Sequence, residues 1–118
     1  LAHPLSARHG MHHGLANALM LPDSMAFLEE ANLNEKQQQR IDTVRTLFRE
    51  VNRSGESLAN ETRTWFQELG IQFGLQHHNI PAEDLDNMTD DAFDDPCHAT
   101  NLIALTRDDL AEVYQRAL

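Results

Sequence analysis

The chain has 118 residues, 41% of them apolar and 24% charged, which is the make-up of one soluble globular domain with a single core. A formal net charge of −10, with no basic stripe to offset it, repels phosphate backbones and argues against nucleic acid as a partner. No apolar run approaches the roughly 20 residues of a membrane span, and no basic segment leading into an apolar one marks a secretory signal.

The periodicity is helical throughout and nowhere of period two, so an all-α domain of about six helices is expected. The first stretch, from His3 to Pro22, holds four of the seven histidines (His3, His9, His12 and His13) and then turns apolar. Gly14 to Met20 reads as a short buried helix closed or kinked by Pro22. Asp23 reads as the N-cap of a second piece running to about Ala31. Asn34 caps a longer helix to about Val51, with Ile41, Val44, Leu47, Phe48 and Val51 on one stripe.

Asn52 to Gly55 is a turn. The helix from Glu56 to Leu69 places Leu58, Thr62, Trp65, Phe66 and Leu69 on one face, with Gly70 in the C′ position. Ile71 to Asn79 is expected to be a loop or extended segment carrying His77 and His78, whose default environment is solvent. Pro81 at a first helical position, followed by Glu83 and Asp84, starts a helix with Leu85, Met88 and Phe93 inward and Pro96 at its end. Residues 95–101 form an irregular loop. Thr106 and Asp109 have the spacing of a capping box, and the last helix turns Leu110, Val113, Tyr114 and Ala117 to the core. The five aromatics Phe27, Phe48, Trp65, Phe66 and Phe93 are read as core.

Two features could carry chemistry. If residues 9–13 are helical, His9 shares a face with both His12 and His13, and such pairs can bind a divalent metal. A polar turn entering a buried helix accounts for the same residues. Cys97 is either a nucleophile beside His98 or a half-buried loop residue packing near a pocket. Being the only cysteine, it excludes an internal disulfide and is consistent with a cytoplasmic protein.

A longer pattern goes further. Ala2-His-Pro-Leu5, His13-Gly-Leu-Ala-Asn-Ala-Leu-Met-Leu-Pro22, Asp95-Pro-Cys97, Thr100-Asn101 and Leu105 to Ala117 together resemble the C-terminal domain of the iron-containing (group III) alcohol dehydrogenases. The match spans essentially the whole chain. It implies that residues 1–118 are the all-helical, metal-binding C-terminal domain of a dehydroquinate synthase-like two-domain fold. The parent enzyme would have an N-terminal α/β domain that binds NAD(P), and hydride would pass between a primary or secondary alcohol and the nicotinamide. The resemblance also implies Fe²⁺ or Zn²⁺ held by an aspartate and three histidines, of which only the last, His13, lies in this chain.

In the same way His3 corresponds to a histidine beside nicotinamide and substrate that relays the alcohol proton, a task suited to an imidazole titrating near about pH 6.5. His9 stands where an aromatic is usual and would face the cofactor side, and Cys97 corresponds to a residue of the substrate pocket. There are departures: Ser6 replaces a common Gly, His12 replaces the Pro of a Pro-His-Gly triplet, Pro22-Asp-Ser-Met25 lacks a His or Tyr, and no Pro-Arg follows Asn101. The implied partners are the absent nucleotide-binding domain, a small alcohol or aldehyde and, for an exposed cleft face, a second copy of the chain. Alone, the chain is expected to be inactive. Two other classes compete: a stand-alone helical interaction module, and a small metal-binding protein using His9, His12 and His13.

Overall fold

The computed structural model describes residues 1–118 as six α-helices joined by turns and three short 3-10 segments, with no strand. No helix is long and apolar enough to cross a membrane. The first helix, α1, runs from Ala2 to His9. It accommodates Pro4 because that residue lies in the first turn, where a backbone N–H has no helical acceptor to lose. Gly10 then ends it in the left-handed conformation (φ 63°), with its N–H donated to the Ser6 carbonyl and that of Met11 to the Leu5 carbonyl.

The second helix, α2, spans His13–Glu30 without a break. The expected division at Pro22 is therefore corrected. Pro22 is fully buried within the helix, and Asp23, expected as an N-cap, is instead a buried partner of Arg63 at 2.7 Å. An interior proline costs about 3 kcal/mol. Burial of its neighbours Leu19 and Met20, at roughly 1.5–3 kcal/mol per large side chain, offsets that cost. The total of six thus stands with different members: one helix is gained before Gly10 and two expected pieces fuse.

Helix α3, Glu35–Glu50, opens with a reciprocal capping box between Asn34 and Gln37. Helix α4, Leu58–Glu68, is capped by Ser57 and packs along α2. Glu29 of α2 reinforces that start, accepting the N–H groups of Leu58 and Ala59 and pairing with Arg45 of α3 at 2.8 Å. The segment expected to be extended contains a 3-10 turn, Leu75–His78, and Pro81 precedes a second one, Ala82–Asp84, rather than starting the helix itself. Helix α5, Leu85–Asp94, follows. The irregular loop after it holds a third 3-10 turn, Pro96–Thr100. Helix α6, Arg107–Ala117, begins with the expected Thr106–Asp109 capping box.

The core is made by α1, α2, α5 and α6, where Leu5, Leu19, Met88, Leu110 and Tyr114 meet. The α3–α4 end is different. Of the α3 stripe only Ile41 is buried, while Leu47 is 54% and Leu69 of α4 68% exposed. Trp65 and Phe93 are also exposed, so the reading of all five aromatics as core is corrected. The physical reason is thickness: the molecule is a slab of 38 × 32 × 18 Å, and α3 packs only loosely against the other helices. Trp65 finds local partners instead, edge-on to Phe48 and under the Arg53 guanidinium.

Candidate functional site

An open cleft of about 420 Å³ lies where α1, the start of α2, the α5–α6 connection and α6 converge. That volume falls within the usual range for small-molecule sites. His3, His13, Asp95 and Cys97 supply its polar wall, and Leu105 and Leu110 part of its apolar one.

Local structure explains each placement. His3 occupies the first turn of α1, which is tied down by Tyr114: the phenol donates to the Leu1 carbonyl at 2.6 Å, and burial pushes its pKa well above the usual value. His13 is the first residue of α2, because His12 serves as its N-cap and accepts the Gly14 N–H at Nδ1, 3.2 Å away. Gly14 leaves room for this cap, since a Cβ there would stand 3.3 Å from His12 Nδ1. The Gly10 turn between the helices folds α2 back against α1. As a result the His3 and His13 rings stack, with centroids 5.1 Å apart.

Asp95 organises the opposite wall. One carboxylate oxygen accepts the Cys97 N–H at 2.8 Å, capping the 3-10 turn, and the other meets His3 Nδ1 at 2.5 Å. The Cys97 N–H first and the His3 ring second hold the Asp95 carboxyl far below the usual carboxylate range. With Nδ1 donating to that carboxylate, the other ring nitrogen of His3 makes no hydrogen bond within the protein. Asp95 also pushes the Cys97 thiol up, through a side-chain hydrogen bond and its charge. Cys97 is exposed, not half-buried. A thiol so placed is the opposite of an activated nucleophile.

The structure thus brings His3, His13 and Cys97 into one cleft. His9 is placed elsewhere: it pairs with Asp84 at 2.8 Å on the flank where α1 meets α5 and does not line the cleft. The helix break at Gly10 is the cause, because His9 and His13 belong to different helices. His9, His12 and His13 therefore do not converge. Sequence reasoning assigns no role to Asp95, although its place before Pro96 marks it as a cap.

The donor chemistry around His13 fits one corner of a divalent metal site. Its Nδ1 lies 3.3 Å from the Ser6 hydroxyl, which orients the ring and leaves Nε2 free to ligate. Zinc sites take three or more protein ligands, and His13 offers one imidazole of such a set. Ser6, a departure from the pattern in the sequence, is what supplies this orienting contact.

The sequence model of the Fe-containing alcohol dehydrogenase family, C-terminal, matches residues 1–118. Among curated proteins the chain is 25% identical to alcohol dehydrogenase 4 of Saccharomyces cerevisiae over 118 residues, covering 99% of this chain and 30% of that protein. It is 27% identical to lactaldehyde reductase of Escherichia coli K12 over 119 residues, covering 99% of this chain and 31% of that protein. The chain spans about three-tenths of the length of these relatives.

Proposed function

The chain belongs to the Fe-containing alcohol dehydrogenase family, as its C-terminal domain, and from that premise we propose that it forms one wall of a metal-dependent, NAD(P)-linked alcohol dehydrogenase site. The observation that carries the reading is the stacked pair His3 and His13 in a cleft that also holds Cys97. The substrate class is a small primary or secondary alcohol, or the matching aldehyde or ketone in reverse. The partner is a nucleotide-binding α/β domain preceding this chain in the same protein, which would close the open side of the cleft.

Each residue has a task. His13, oriented by Ser6, contributes one imidazole to Fe²⁺ or Zn²⁺. Such a metal acts as a Lewis acid that lowers the pKa of an alcohol oxygen and stabilises its anion. His3 takes the alcohol proton at the ring nitrogen that Asp95 leaves free, and passes it to solvent through the mouth of the cleft. Asp95 stabilises the imidazolium that results. Cys97 and the apolar side chains Leu105 and Leu110 set the size of the substrate that fits. His9, paired with Asp84, has no part in these steps.

The expected division of labour gives the test. The longer protein containing this chain reduces NAD(P)⁺ in the presence of a short-chain alcohol, and the 118-residue chain alone does not. Alcohol-dependent NAD(P)⁺ reduction by the isolated chain would overturn the reading, as would none by the longer, metal-loaded protein over a range of small alcohols.

A further inference from the structure

The residues that the proposed chemistry uses separately also form a group of their own. His3, Asp95 and Cys97 each offer one ligand atom, and these atoms all lie within 4.8 Å of one another. The group combines an imidazole, a carboxylate and a thiol, three of the donor types found around zinc. In a tetrahedral zinc site, bonds of about 2.0–2.3 Å set neighbouring ligand atoms roughly 3.3–3.6 Å apart. The His3–Asp95 contact of 2.5 Å must open by about 1 Å to meet this, and the wider separations, none above 4.8 Å, must close by no more than about 1.5 Å. Both movements are available, because the His3 side chain is 58% exposed and Cys97 is exposed.

The setting favours a cation. An adjoining groove is lined by His3, Asp91, Asp94 and Asp95, and although Arg8 pairs with Asp91, Asp94 makes no ion pair. The whole chain carries −10, which raises the local concentration of cations. Two of the three donors are already fixed relative to each other, since Asp95 caps the turn that holds Cys97.

We infer that His3, Asp95 and Cys97 form a second divalent-metal site, selective for Zn²⁺, distinct from the position that uses His13. The thiolate makes the site soft enough to prefer zinc to magnesium or calcium. On binding, Cys97 releases its proton to solvent and water fills the fourth position from the open cleft. The site itself does not rest on the proposed dehydrogenase chemistry. Where that chemistry holds, zinc here occupies His3 and excludes it from proton transfer, so the two uses of His3 compete.

The probe is Co²⁺, a spectroscopic substitute for zinc, added to the reduced 118-residue chain. Cys97 is the only cysteine, so a thiolate-to-cobalt charge-transfer band in the near ultraviolet reports on that residue alone. The inference predicts that the band develops to saturation and that Zn²⁺ displaces it. It further predicts loss of the band in Cys97→Ser, and weakening of cobalt binding by at least about tenfold in His3→Ala and Asp95→Asn. His13→Ala retains it. Circular dichroism on each variant verifies that the helices are intact, and Cys97→Ser, at an exposed position, serves if Asp95→Asn disturbs the fold. No band at saturating cobalt, a band that survives both His3→Ala and Asp95→Asn at full affinity, or one lost in His13→Ala would each overturn the inference.

Discussion

Replacing Tyr114 with phenylalanine removes a single oxygen from the centre of the fold, and the structure says what that oxygen holds. The ring is completely buried among the core side chains, and its hydroxyl donates to the Leu1 carbonyl two residues before His3. Tyr114→Phe keeps the ring and its packing, so no cavity of consequence opens. What is lost is one hydrogen bond, and a half-buried acceptor is left without its donor, at a cost of about 1–2 kcal/mol. In a urea titration the midpoint is expected to fall by roughly 0.5–1 M with an unchanged slope.

The same variant tests a second consequence. Because burial raises the phenol pKa above its unfolded value of 10.0, the folded chain holds this proton more tightly than the unfolded chain. Its contribution is therefore fully present below about pH 10 and lost as pH rises beyond it. Wild-type stability should decline above that point, and Tyr114→Phe should decline less. A midpoint equal to wild type at neutral pH, together with an identical alkaline limb, would refute the claim that this bond anchors α1.

Two glycine substitutions separate conformational cost from collision. Gly10→Ala places a Cβ in open space at φ +63° and should cost about 1–2 kcal/mol, whereas Gly55→Ala at φ +67° also drives its Cβ to 2.6 Å from the Arg45 carbonyl oxygen and should cost more in the same titration. Thr106→Ala removes the α6 cap and should cost about 1 kcal/mol by thermal or urea unfolding. The Asp95 carboxyl is held below its unfolded value of 3.8, so its contribution is present above that pH and lost as pH falls; the acid limb of Asp95→Asn should be flatter than that of wild type. Cys97 should react with iodoacetamide at pH 7.5 more slowly than a free cysteine despite its exposure, and Asp95→Asn should speed the reaction.

What the sequence made legible depended on how local each signal was. The Thr106–Asp109 and Asn34–Gln37 caps are complete within four residues, and both helices begin where those residues predict. The local cost of Pro22 is outweighed by the packing of α2 against α1, α4 and α6, which no window around residue 22 contains. The apolar stripe of α3 has helical period, but period alone does not say whether a second layer covers it, and here Leu47 and Val51 face outward.

Which residues meet in the cleft does not follow from helical spacing. Helical spacing pairs His9 with His13, whereas the Gly10 turn stacks His3 on His13 and sends His9 to Asp84. The link between His3 and Asp95 spans 92 positions, and nothing in either segment announces it.

The central claim, that this chain brings His13 to a metal site completed from elsewhere in its protein, is tested most directly by metal content. The longer protein carrying this chain should be purified as wild type and as His9→Ala, His12→Ala and His13→Ala variants, then subjected to elemental analysis for iron and zinc under a chelator wash. The account predicts that the iron, or one equivalent of the zinc, that wild type, His9→Ala and His12→Ala retain is lost in His13→Ala, apart from zinc held by His3, Asp95 and Cys97. Full retention in His13→Ala, or loss in His9→Ala with His13→Ala unaffected, would contradict it.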